Sequence, residues 1–420
     1  MRLSGTLLSG TGFGSFLGDG LSLDLAFALD KTLTARRGPT PVFTRASTGT
    51  FVGSNGFIQS AAINAPRFDY DPVALECKGL LIEESRTNLT INSQTPSGWI
   101  SGNGTVTDQG LTTSPSGLND GYLAGVGTAE ISAANTSSLP SGAYTISVFL
   151  KRNNTNWVRL HFNHATNANI ANAWFNLATG VKGTVSAGAG SLTSITSAIT
   201  NVGNGWYRCS ITATIPTSGA VRAIIISTPS DANAARVSGA IYAIWGFQIE
   251  AGAFPTSYIP TTTTALTRSA DVCSISGADF SSFYNQSEGT LFASGITQGY
   301  LVMASSGANS NQIAIFRNPS PLYMRFDVAV GGSYGAQIEG ATIIGDSFNK
   351  VAGAYAANNV RAAFNGALGT QDTTVAIPSN LTTLNIGSQS LGAAPHSGHV
   401  THIQYFNKSL SNAKLQSLTT

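Results

Sequence analysis

The sequence predicts an all-β protein: an extended N-terminal segment followed by two antiparallel β-sandwich (jelly-roll) domains. Three observations carry this. Apolar residues alternate with polar ones in strand-length runs, and helical periods are absent from the middle of the chain. Charged residues make up 10% of the 420 residues, where an average soluble domain carries about 25%. Ser, Thr, Asn and 46 Gly residues supply the polarity instead, and these suit turns and the outer faces of strands. With 42% hydrophobic residues, among them 20 Phe, 12 Tyr and 5 Trp, the chain has apolar surface for two or three cores.

Residues 1–86 read as a wrapping segment. Short apolar pieces such as Leu21 to Leu29, Phe51-Val52 and Phe57-Ile58 are separated by Gly, Pro and Asn, with no sustained period. Such a segment needs the rest of the chain to fold. Residues 87–260 form the first sandwich. There Tyr144-Ile146-Val148-Leu150 alternates with Thr145, Ser147 and Lys151, and Ile241-Ala243-Trp245-Phe247-Ile249 with Tyr242, Ile244, Gln248 and Glu250. Residues 261–268 are a linker, made extended and stiff by Pro260 and the four threonines Thr261 to Thr264.

Residues 269–420 form the second sandwich. Leu322-Met324-Phe326-Val328-Val330 alternates over Tyr323, Arg325 and Asp327. Asn365-Gly366 between Val360–Phe364 and Ala367-Leu368 predicts a type I′ hairpin, because both residues tolerate positive φ. A short helix is predicted over Asn412 to Leu418, with Ser411 as its N-cap.

Composition also excludes function classes. A net charge of +2 with scattered Lys and Arg gives no basic stripe for nucleic acid. No stretch approaches the roughly 18 apolar residues of a membrane span, and Ser4 and Gly5 break the N-terminus before a signal-peptide core forms. A surface-type composition without an export signal fits a component released by cell lysis, as virion proteins are. Cys77, Cys209 and Cys273 are odd in number and far apart, so they read as buried small hydrophobes from a reducing cytoplasm, with no disulfide or zinc site.

Several segments resemble one family, the fibre, spike and head-decoration proteins of tailed bacteriophages. They are Phe43-Thr44-Arg45-Ala46-Ser47-Thr48-Gly49-Thr50-Phe51, Pro66-Arg67-Phe68-Asp69-Tyr70-Asp71-Pro72, and most specifically Lys78-Gly79-Leu80-Leu81-Ile82-Glu83-Glu84-Ser85-Arg86-Thr87-Asn88-Leu89. The resemblance continues through Asn204-Gly205-Trp206-Tyr207-Arg208, Phe247-Gln248-Ile249-Glu250 and Pro255-Thr256-Ser257-Tyr258-Ile259-Pro260. It implies a carbohydrate-binding-module-like jelly roll followed by a concanavalin A-like or laminin-G-like sandwich. It also implies a homotrimer on the virion surface, attached to other virion proteins through the N-terminal segment and touching host cell-surface polysaccharide. An architectural capsid decoration protein and a glycan depolymerase are the alternatives.

Candidate chemistry is sparse. Only 20 acids are available for a hydrolytic pair. Adjacent Glu83 and Glu84 point to opposite faces of a strand and read as structural, with backbone or Arg86 pairing, while Glu250 and Asp327 fall in different domains. His396, His399 and His402 are the one imidazole cluster, but strand spacing turns His399 away from His402, which is poor geometry for a metal. No nucleotide or acyl-transfer motif occurs, and no cofactor is expected. Sugar binding needs an aromatic face with polar groups at its rim. Trp157 with Arg159, beside Asn153, Asn154 and Asn156, fits this, as does Tyr323 with Arg325; the plainer reading of each is an aromatic packed on its own sheet. Trp206 and Trp245 are assigned to cores or inter-domain contacts.

Overall fold

A computed structural model describes residues 17–95, 99–102, 106–126, 130–134, 138–165, 169–188, 190–307, 310–343, 347–389 and 397–420. Two sheets of six antiparallel strands form the central sandwich. One runs in the order Thr193–Asn201, Trp206–Ile215, Gly142–Arg152, Ala240–Ala251, Gly121–Val126, Val106–Thr112; the other Val181–Ala187, Asn169–Asn176, Trp157–His164, Val221–Thr228, Glu130–Ala134, Trp99–Gly102. The alternating residues Ile146, Val148, Leu150, Val158, Leu160, Phe162, Cys209 and Ile211 meet between them and are fully buried. Each such side chain contributes about 1.5–3 kcal/mol of burial free energy.

The strand Ala240–Ala251 departs from simple alternation. Tyr242 and Ile244 face the core, as do Phe247 and Ile249, whereas Ala243 and Trp245 face outward with Phe149 and Tyr258. A bulge between the Ser147–Gln248 and Phe149–Trp245 pairs reverses the faces. Gly246 makes the bulge possible: its φ is +64°, and a Cβ there would lie 2.9 Å from Phe149 Cδ2.

The second sandwich pairs an eight-stranded sheet with a seven-stranded one. The hairpin at Asn365 (φ 49°) and Gly366 (φ 85°) is present between Asn359–Phe364 and Ala367–Leu368. The C-terminal helix Asn412–Thr419 buries Leu415 against Leu410 and Phe406, but the Ser411 side chain makes no capping bond. A second short helix, Gly277–Phe283, buries Phe280 and Phe283 beside Tyr284 and Tyr405.

The larger difference from expectation is the N-terminal segment. Leu21–Leu25 pairs with Ser397–Phe406, and Cys77–Glu83 pairs with the same strand while Phe68–Tyr70 pairs with Cys77–Glu83. Val42–Thr44 pairs with Val272–Ser276 in the other sheet. The segment therefore supplies strands to both sheets of the second sandwich instead of wrapping it. Three of these strands are five residues or shorter, too short to display a period, and in the fourth Gly79 to Glu83 are all buried, so no alternation is visible. Within that strand Cys77 is half-buried, unlike fully buried Cys209 and Cys273. The linker ends in a strand too, Leu266–Arg268, paired with Arg86–Asn88.

Candidate functional site

Tyr323 and Arg325 lie on the outer face of the seven-stranded sheet, because Met324, Phe326 and Val328 take the inner one. Strand register brings further aromatics to them: Arg325 stands opposite Phe316 and Glu339, and Phe316 opposite Tyr300. The Arg325 guanidinium lies 4.6 Å from the Phe316 ring centre and 5.6 Å from that of Tyr334. Phe316 in turn stacks on Tyr300 at 5.0 Å. Such cation–π contacts hold a planar cation flat on the sheet.

The polar groups of this face are ordered around Arg325. Its Nη2 donates to Asp327 Oδ2 at 2.9 Å, and its Nε lies 2.7 Å from the other oxygen as an ion pair. The Gln337 amide, turned with its oxygen towards Arg325, accepts at 3.0 and 3.1 Å. Tyr323 donates to Glu339 at 2.8 Å, and the Gln312 amide donates to the Tyr334 hydroxyl at 3.3 Å. Burial pushes the Asp327 carboxyl up to about 6 against the opposing pull of Arg325. Tyr334 is 48% exposed and Tyr323 half-buried, whereas Phe316 is buried and the Arg325 side chain is 14% exposed, so the face presents chiefly the two tyrosine rings to solvent. Gln312 Oε1 is buried without a partner among the described residues.

Trp157 and Arg159 also share an outer face, that of the second central sheet, since Val158 and Leu160 enter the core. This face is less open. Arg159 lies 5.6 Å over the Trp174 ring, and Trp174 is itself buried, its Nε1 donating to the Asn233 carbonyl at 2.9 Å. Residues 229–238 thus fold across it. Asp231 from that loop accepts from the Thr184 amide and hydroxyl at 2.8 and 2.9 Å, and both it and Trp157 crowd Gly183. Two neighbouring asparagines are spent on turns: Asn154 accepts from the Ile241 amide at 2.6 Å, and Asn156 from Arg152 at 2.7 Å.

The histidines do not converge. His399 donates to Asp69 at 2.8 Å and His402 to Asp24 at 2.6 Å, so each holds a carboxylate of the N-terminal segment; His396 lies outside the described residues. Among the described residues no three His, Cys, Asp or Glu side chains come together as a metal ion requires, and no helix is long and apolar enough to cross a membrane.

Residues that sequence reasoning did not place form a buried knot where the N-terminal segment and both sandwiches meet. Arg67 Nη1 donates to Glu83 at 2.7 Å, to Ser257 Oγ at 2.9 Å and to the Thr50 carbonyl at 2.9 Å, and its Nη2 donates to Asp271. Arg45 reaches the other Asp271 oxygen at 3.1 Å, and Arg268 donates to the Glu84 carbonyl at 2.6 Å. Arg45, Arg67, Glu83, Arg268 and Asp271 are each buried. Glu84 pairs with Arg86, as read from the sequence, whereas Glu83 pairs with Arg67 instead. Asn88 completes the joint: its amide donates to the carbonyls of Phe247 and Ile259 at 3.0 and 2.8 Å and accepts from the amides of Thr90 and Ile249. Glu250 accepts from Thr256 and Gln248. The one signal in the sequence was the cluster of family-like motifs, since Arg45, Arg67, Glu83, Asn88 and Ser257 all belong to them.

No protein-family model matches the chain, and no curated protein matches it in sequence. Among solved structures it is similar over part of its length to a leech intramolecular trans-sialidase complexed with 2,7-anhydro-Neu5Ac (17% identity, 35% of this chain and 26% of that one, TM-score 0.30). It is similar also to a structure of botulinum neurotoxin type C (10% identity, 36% and 39%, TM-score 0.29). A third is domain 4 of the arabinanase AbnA from Geobacillus stearothermophilus in complex with arabinotriose (11% identity, 40% and 82%, TM-score 0.27). The chain thus spans between a quarter and two fifths of the first two structures.

Proposed function

We propose that this chain is a structural virion protein of a tailed phage, a fibre or spike, that attaches to host cell-surface polysaccharide through the outer face of its second sandwich. The observation that carries the binding reading is the guanidinium of Arg325 laid between Phe316 and Tyr334, with Tyr323, Gln337 and Glu339 around it. Exposed rings suit the C–H face of a pyranose, and the amide, hydroxyl and guanidinium groups suit its hydroxyls. Asp327 and Glu339 share this face, yet Asp327 is fully buried beneath Arg325 and Glu339 accepts from Tyr323, so the two are not a pair of acids open to one substrate and the reading is binding without hydrolysis.

Self-association is part of the same reading. The edge strand Thr193–Asn201 carries no charged residue and is largely exposed, an unprotected ladder that a homotrimer would cover. Repeated copies on one particle then turn weak sugar contacts into firm adsorption. Attachment to other virion proteins through the N-terminal segment belongs to the same proposal, although its motif residues Arg45, Arg67 and Glu83 are buried in the joint.

The test is a glycan array and whole-cell adsorption with the full chain. Binding that Tyr334→Ala and Arg325→Met abolish, with unchanged melting for Tyr334→Ala, supports the reading. Absence of binding to any host envelope leaves an architectural role, and a stable monomer by mass photometry at micromolar concentration overturns the trimer.

A further inference from the structure

The joint between the sandwiches encloses a second place for a ligand. A cleft of about 310 Å³ lies between Phe51 and Pro72 of the N-terminal segment, Phe149 and Val202 of the central sandwich, and His399 of the second sandwich. Concave, mostly apolar sites with a few polar groups at domain interfaces are where small ligands bind, and this one is at the small end of that range.

The charged groups left open in the cleft are of one sign. Its carboxylate, Asp69, is saturated: Oδ1 accepts from the Val52 amide at 2.6 Å, and Oδ2 accepts from Lys78 at 2.7 Å and His399 at 2.8 Å. Glu83 in the inner wall is consumed by Arg67 and by the Ser257 amide and hydroxyl. Among the charged groups, what remains is the cations Lys78 and Arg208. Lys78 has three N–H groups and gives one to Asp69. Arg208 donates to the Thr256 carbonyl at 2.6 Å and Ser147 Oγ at 2.9 Å and lies 5.2 Å over the Phe149 ring; among the described residues no carboxylate is in ion-pair contact with it, Glu250 and Glu83 acting on it only at longer range, and its buried Nε has no partner. A cation held in a partly desolvated wall without a contacting counter-ion favours an anion beside it.

We propose that this cleft binds a carboxylate-bearing monosaccharide residue, its ring against the Phe51 and Pro72 wall and its carboxylate between Lys78 and Arg208. The choice of a sugar rests on the glycan-binding reading; the demand for an anion rests on the cleft alone. The site is separate from the Arg325 face, so the two fail independently.

The experiment titrates the full chain with glucuronate, with glucose, which differs by lacking the carboxylate, and with inorganic phosphate, following backbone amide shifts. Glucuronate is expected to shift Phe51, Val52 and Lys78, with glucose at least about tenfold weaker, the worth of one charge-assisted hydrogen bond. Lys78→Met is expected to weaken glucuronate about tenfold, read at the Phe51 and Val52 amides. Equal binding of glucose, or shifts confined to residues outside the cleft, overturns the proposal. Phosphate binding as tightly as glucuronate also overturns it, leaving an unspecific anion site. If Lys78→Met fails to fold, the shift map of the unaltered protein and an Arg208→Lys variant decide in its place.

Discussion

Arg67 and Asp271, 204 positions apart, form an ion pair in which neither side chain is exposed. The same guanidinium holds Glu83 at 2.7 Å, so one residue of the N-terminal segment ties the last strand of that segment to the first residues of the second sandwich. The central sandwich joins the pair through Ser257.

Arg67→Met should therefore cost about 3–5 kcal/mol, because it leaves two carboxylates buried with too little positive charge to compensate them. Urea denaturation followed by tryptophan fluorescence measures it, and a loss below 1 kcal/mol would show that water reaches the knot.

Acid should weaken the joint in a defined window. Asp69 is held down at about 2 by His399 and Lys78, against a model-compound value of 3.8. A carboxylate lowered on folding stabilises above its unfolded value and loses that contribution as pH falls through the folded one, here between 3.8 and about 2. The contribution is worth about 2 kcal/mol. Melting curves from pH 5 to pH 2.5 should fall more steeply for the parent protein than for His399→Gln, which lacks one of the groups holding Asp69 down.

Asp327 runs the other way. Its carboxyl, raised to about 6, favours the fold fully below 3.8 and loses that contribution as pH rises through 6. The melting temperature of Asp327→Asn relative to the parent should accordingly be higher at pH 8 than at pH 4.5, and a difference independent of pH would mean that Arg325 holds the carboxylate ionised throughout.

Gly246→Ala should destabilise the central sandwich by roughly 1–3 kcal/mol, since a side chain at a positive φ is strained and this one meets Phe149. Thermal unfolding checks it, with Gly239→Ala as the comparison: that glycine has φ +75° but nothing within 4 Å of the added carbon.

Much of the fold was legible from alternation alone. Leu322 to Val330, Tyr144 to Leu150 and the Asn365-Gly366 turn appear where their patterns place them. The strands Val42–Thr44 and Phe68–Tyr70 were not, because three residues cannot show a period, and plain alternation over Ile241 to Glu250 misses the bulge that turns Trp245 away from Phe247, although Trp245 is buried as expected. Of the candidate face, Tyr323 and Arg325 could be read from their own strand. Phe316 and Tyr334 reach them only through register between strands, which single-strand patterns do not contain. The buried arginines Arg45, Arg67 and Arg268 were the hardest: each looks like a surface residue until its distant carboxylate is known.

The pairing of Leu21–Leu25 with Ser397–Phe406 sets an order on biosynthesis. A ribosome delivers the central sandwich whole, within a continuous stretch of chain, while its flanking partner must wait for nearly four hundred residues before its earliest ribbon finds a mate. Until then the nascent N-terminal ribbons have open backbone donors and acceptors, and a polypeptide cut short before Ser397 would leave them so for good.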